Sequence, residues 1–208
     1  MTPTEFRNLR PVRIDYGKDW SLYKSEVVLK QPEELKQQVA RAYRLFKNTF
    51  PNHDSTLSQT EAQSGFSFYN VFALTSPSPL FWLLFRDIRR IVRNSINPVK
   101  CKMEDGQPLW IQSWINYHTP GEVLDWHGHD YPWHGYVSID PKDTTTVFKG
   151  DEEYYINNSA GNIYFGPGDR SHKVIVNSDY TGPRITIGFD ILDEPSLPDD
   201  SFSLIPLL

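Results

Sequence analysis

The sequence predicts an antiparallel β unit, a sandwich or barrel, preceded by two helices. Three observations carry this expectation. After Pro98, Gly and Pro recur and β-branched and aromatic residues gather in short runs. Seven runs, 109–117, 122–129, 134–139, 145–149, 162–166, 172–177 and 184–191, lie between turn signals. Before them, two stretches repeat apolar residues at helical spacing. An aromatic content of 14% with 16 prolines suits an aromatic-rich β core with many turns.

The first helix is expected over 32–50. Pro32 suits the first helical position, and Glu33 and Glu34 favour the positive end of the dipole. Leu35, Val39, Ala42, Phe46 and Phe50 form its apolar stripe, and Pro51 ends it. Residues 51–66, with His53, read as a solvated polar loop, and 67–74 (SFYNVFAL) as a short strand. Ser78 as N-cap and Pro79 at the first position open a second helix, with Phe81, Leu84, Phe85, Ile88 and Val92 on one side. Amphipathic helices must bury their stripes, and an outer sheet face is the available place. At 208 residues the chain reads as one domain. Residues 1–100 are its helical support, 108–191 its β core and 192–208 a tail. The apolar end of that tail has two destinations, the body of the domain or a second subunit of a homodimer.

Composition narrows the function classes. A net charge of -5 argues against a general nucleic-acid binder and for a small-molecule or peptide partner. Cys101 is the one cysteine, which excludes an internal disulfide and a Cys-based zinc site and fits a reducing cytoplasm. The N-terminus lacks the apolar core of a signal peptide, and PLFWLLF is too short to span a bilayer.

Of six histidines, His118, His127, His129 and His134 fall within one short stretch. On a strand, His127 and His129 share a face and can reach one ion at about 2.0–2.2 Å. Asp125 shares that face if the strand runs that far back. His172, the only histidine after residue 134, is the distal candidate. His118 and His134 suit hydrogen-bonded pocket or structural roles, and a polar loop with a chance H-x-H is the bland alternative. In 182–191 (GPRITIGFDI), Ile185, Ile187, Phe189 and Ile191 alternate with Arg184, Thr186, Gly188 and Asp190. Either the apolar row faces the core and Arg184 lies in water, or helices cover the apolar row and Arg184 and Thr186 enter a polar barrel.

H-x-H, a distal His, and an Arg twelve residues later with a hydroxyl two positions on resemble the Fe(II)/2-oxoglutarate-dependent oxygenases. "W-I-N" at 114–116 with Gly121, and "R-I-T-I-G-F-D-I", look like a poorly characterised bacterial and phage branch of that superfamily. The resemblance covers roughly 108–191. It implies a mostly β fold, a double-stranded β-helix (jelly roll, cupin-like) with N-terminal helices packed on the outer face of one sheet. It implies Fe(II) held by His127, His129 and His172. It implies 2-oxoglutarate held by Arg184 and Thr186, with Asn116 as a further contact. The implied activity is hydroxylation of a small-molecule or peptide substrate with release of succinate and CO2. The family places a carboxylate where this chain has His129, so Asp125 or Asp130 could supply an oxygen instead. Cupins offer a second resemblance: Gly121, His127 and His129, then Gly161, Pro167 and His172, with His134 near a cupin glutamate position. That would imply a metal enzyme without 2-oxoglutarate. A non-catalytic ligand-binding barrel is the third reading.

Overall fold

The computed structural model describes residues 5, 8–49, 69–96, 108–122, 125–193 and 203–207. The expectations for Phe50, His53 and Cys101 lie outside them. Among these described residues, ten strands form two facing antiparallel sheets. The larger has the order β1(Val12–Tyr16), β2(Ser21–Lys24), β7(Asn162–Pro167), β4(Trp133–Asp140), β9(Arg184–Leu192), β3(Trp110–His118), β10(Ile205–Pro206). The smaller runs β6(Tyr154–Asn157), β5(Thr144–Phe148), β8(His172–Val176). Strands distant in sequence are neighbours in both sheets, the winding of a jelly roll.

The helices are α1(Glu26–Lys30), α2(Pro32–Thr49), α3(Val71–Leu74) and α4(Pro79–Ser95). Two form where the periodicity places them. Leu35, Val39, Ala42 and Phe46 of α2 are buried, as are Phe81, Leu84, Ile88 and Val92 of α4. Ser78 caps α4 by accepting the Phe81 amide. Both stripes join one core with Ile115, Ile187, Phe189 and Ile191 on the outer face of the large sheet. Helices cover that face, so β9 is buried along its whole length. A second core, with Leu22, Tyr136, Phe148 and Tyr164, fills one end of the space between the sheets.

Several segments depart from the sequence reading, among them β6(Tyr154–Asn157), which lies outside the seven expected runs. The strand expected at 67–74 is instead the short helix α3 at its described end, 69–74. Asn70 caps it by accepting the Phe72 amide at 3.0 Å, a local bond that outweighs the alternating pattern. The strand expected at 122–129 is a loop where described, carrying a lone bridge between His127 and His172. Gly121, at φ +93°, turns the chain out of β3 just before it. The N-terminal hundred residues hold β1 and β2 as well as helices, and β2 pairs with β7 in the large sheet. These strands are short, and β1 is exposed on both sides, so neither carries a strong alternation. The tail docks on the body: Ile205 pairs with Ile111, and Leu207 is buried.

Asn70 ties these parts together. Its amide donates to the carbonyls of Ile111 and Ser203 at 3.0 and 2.7 Å, and its oxygen accepts from Ser113 at 2.8 Å. Replacing Asn70 with Ala should lower unfolding free energy by about 3 kcal/mol, since several buried groups lose partners at about 1–3 kcal/mol each. Urea titration monitored by tryptophan fluorescence checks this; a loss below about 1 kcal/mol would contradict the role given to Asn70.

Candidate metal centre

The loop at 125–132 has no sheet of its own, so backbone hydrogen bonds to the β7–β8 connection hold it. His127 and His172 exchange both amide–carbonyl bonds, at 3.0 and 2.8 Å. The His129 amide donates to Gly168 O at 2.9 Å, and the Gly168 amide to Pro132 O at 3.1 Å. A Cβ on Gly168 would lie 1.9 Å from Tyr131 O, so only glycine allows this approach. The H-x-H pair is thereby laid against the start of β8.

One ring atom each of His127, His129 and His172 lies within 4.8 Å of the others. The opposite nitrogens show which atoms these are. His127 Nδ1 lies 2.8 Å from its own loop's Asp125 carbonyl, and His172 Nδ1 3.2 Å from the Arg170 carbonyl. His129 Nδ1 lies 3.0 Å from Asp190 Oδ2. Each Nδ1 meets an obligate acceptor, so it carries the proton and Nε2 keeps the lone pair. This is how metal-ligating histidines are oriented. His129 Nε2 is buried and, among the described residues, has no hydrogen-bond partner, a gap that an ion would fill. Burial, helped by neighbouring imidazoles, pushes the pKa of His172 well below its ordinary value, and burial lowers that of His127. Neutral rings are the form that binds metal. The donor set thus fits a cation that accepts three imidazoles.

The other candidates fall into distinct places. The Asp125 carboxylate is turned to the Trp126 amide, at 2.7 Å, and only its carbonyl reaches His127. His134 is buried on β4, stacks on His129 with centroids 3.7 Å apart, and meets Asp190 Oδ1 through Nδ1 at 2.9 Å. Burial and the neighbouring imidazole hold it neutral down to about pH 4. His129, His134 and Asp190 also form a compact group of possible ligands. Their 2.9–3.0 Å separations are hydrogen bonds, so these atoms are already used. Asp190 was not singled out in the sequence, although it shares the inward face of β9 with Arg184.

Arg184, Thr186, Gly188, Asn116 and Trp114 line one cavity with His127, His129, His134 and His172. The inward row of β9 is therefore the polar one. A Cβ on Gly188 would lie 2.5 Å from the Trp114 ring, which stacks on His129 and His134. Arg184 is buried, and burial lowers its guanidinium pKa to about 10. Among the described residues it has no acidic partner; Nη1 donates to His118 Nδ1 at 3.1 Å, and Nε is buried without a partner. Asn116 donates to Thr186 Oγ1 at 3.2 Å. Trp126 points away from the cavity, where Lys149 and Lys173 lie 4.2 and 4.9 Å from its ring. Trp133 packs on the helix-side core, and Tyr136 lines the cavity.

His118 is neutral for two reasons, burial first and the adjacent guanidinium second, and its pKa falls to about 3. The unfolded chain binds that proton near pH 6.5. The stability His118 contributes is complete above about pH 6.5 and is lost as pH falls toward 3. The metal-free wild type should therefore lose stability on acidification more steeply than His118→Gln, by up to about 1.4 kcal/mol per pH unit. Urea titrations across this range check it; parallel profiles would refute the shift.

No family model and no curated protein matches the sequence. Among solved structures, the chain is similar to the non-heme alpha ketoglutarate dependent carbocyclase SnoK from nogalamycin biosynthesis. That match has a TM-score of 0.56 at 10% identity, covering 93% of this chain and 84% of the other. It is also similar to the non-heme monooxygenase ThoJ in its apo form, at a TM-score of 0.50 and 12% identity, covering 85% and 76%. At such identities the likeness is one of fold. The two facing sheets, their strand order and the helices on one outer face make this chain a double-stranded β-helix protein.

Proposed function

We propose that the protein is a non-haem Fe(II)/2-oxoglutarate-dependent oxygenase that hydroxylates a small-molecule or peptide substrate. The observation that carries this reading is Arg184. A buried guanidinium without an acidic partner is costly unless an anion joins it. Here it opens on the cavity that holds three preset imidazoles. A ligand with a carboxylate at one end and metal-chelating oxygens at the other would answer both features, and 2-oxoglutarate has that form.

In this reading His127, His129 and His172 hold Fe(II) through Nε2. Iron with 2-oxoglutarate and O2 would supply the oxidation, one oxygen atom entering the substrate and the other the succinate that leaves with CO2. Arg184 binds the distal carboxylate with charge-assisted hydrogen bonds. His118 holds the guanidinium from the other side, and because it stays neutral it adds no opposing charge. The hydroxyl of Thr186 is a second donor, kept in place by Asn116. Trp114 screens His129 and His134 from solvent, which strengthens the interactions inside the cavity.

One observation favours a second reading. Three imidazoles without a carboxylate ligand also suit a cupin-type metal enzyme that does not use 2-oxoglutarate. Such an enzyme has no use for a buried Arg184. Anaerobic calorimetry, with Fe(II) first and 2-oxoglutarate second, separates the two. The wild type should bind both. Arg184→Ala should keep Fe(II) affinity and weaken 2-oxoglutarate by at least about 30-fold, the roughly 2 kcal/mol or more lost when one member of a buried charge pair is removed. Fe(II) binding with no 2-oxoglutarate binding would establish the cupin reading instead.

A further inference from the structure

The proposed ligand set contains no carboxylate, yet a carboxylate stands directly behind it. Asp190 is buried on β9, between Gln112 on β3 and His134 on β4. Both of its oxygens are occupied. Oδ2 faces His129 Nδ1 at 3.0 Å, and Oδ1 faces His134 Nδ1 at 2.9 Å. Two bonds from two directions fix its plane, and flanking strands on both sides fix its backbone.

No permanent cation among the described residues faces it. Among the described residues, the ion-pair partners of Asp190 are these two imidazoles and no Lys or Arg. A carboxylate buried this deeply is costly unless a cation compensates it. His129 lies between that anion and the position where the Nε2 lone pairs of His127, His129 and His172 converge. Its Nδ1 faces Asp190, and its Nε2 is buried with nothing to bond. A cation at Nε2 would complete a chain of carboxylate, imidazole and metal.

We propose that Asp190 is a positioning residue of the metal centre. It supplies through His129, from one residue outside the coordination shell, the negative charge that a carboxylate at position 129 would supply within it. This rests on the metal reading given above. Asp190 also holds the proton of His129 on Nδ1, which keeps Nε2 free for the ion. His134 anchors the second oxygen and stops the carboxylate from swinging toward the metal. His129 and Asp190 thus act as one unit, an imidazole inside and a carboxylate behind it. An aspartate at 129 with Asp190 retained would set two buried carboxylates beside each other, where like charges disfavour ionisation of both.

The arrangement predicts that the charge can be moved. Fe(II) affinity is measured anaerobically, by calorimetry or chelator competition, on the full chain, with circular dichroism melts to confirm folding. Asp190→Asn should weaken Fe(II) by about 10–100-fold, the usual loss when a group orienting a ligand is removed. Asp190→Glu, which keeps the charge, should lose less. His129→Asp combined with Asp190→Asn should bind more tightly than Asp190→Asn alone, because the carboxylate has moved into the coordination shell. A purely structural Asp190 would give no such recovery. Folded Asp190→Asn binding Fe(II) as the wild type does, or a folded double variant no tighter than Asp190→Asn, overturns the proposal. A wild type that binds no Fe(II) removes the metal reading first, and this proposal with it.

Discussion

The exchange of backbone hydrogen bonds between His127 and His172 is the constraint on which the cavity depends. One partner lies in a loop and the other begins a strand. Side chains on loops are placed less precisely than those on strands, because a loop lacks the ladder that fixes register. Here the loop borrows its register from β8. Gly168 lets the two segments close, and the carbonyls of Asp125 and Arg170 then orient the rings that the bridge has brought together. A slip of one residue would put Gly128 where an imidazole stands.

The strand β9 does two unlike tasks along one length. Its isoleucines and Phe189 anchor the helices, and its alternate positions carry Arg184, Thr186 and Gly188 to the cavity and Asp190 behind the His129 and His134 rings. Arg184 and Asp190 are six residues apart on that face, about 20 Å of strand at about 3.3 Å per residue. At such a separation they do not neutralise each other at short range. Each therefore needs its own local counter-charge, and the cavity lies between them. Burial of both groups is tolerable because β9 is held between β3 and β4 and under the helices.

Much of this was readable in the residues. The 3.6-residue pattern located α2 and α4, and the period of two in β9 separated its rows. Composition alone left the direction of that strand undecided, because a half-buried strand and one covered by helices present the same alternation. Helices on the outer face decided it. The loop carrying His127 and His129 resembled a strand because Val123, Leu124 and Trp126 are good strand residues, whereas its geometry comes from contacts with residues some forty positions later. Asp190 had a visible signal, its place on the inward row of β9. Its partners, His129 and His134, come from other elements, and no local pattern records such a meeting. The short strands β1, β2, β6 and β10 were missed for a related reason: each takes its form from a neighbour.

The two rims of the large sheet are finished differently. At one rim β10 is only two residues long and includes Pro206, which has no amide to offer a further strand. At the other, β1 shows Val12, Ile14 and Tyr16 to solvent, but a bulge between Arg13 and Asp15 breaks its repeat. A flat strand with that composition would recruit copies of itself edge to edge. The kink spoils the template, so among the described residues the sheet terminates itself at both sides. The protein can keep a long, apolar, seven-stranded layer under its helices without that layer seeding fibres.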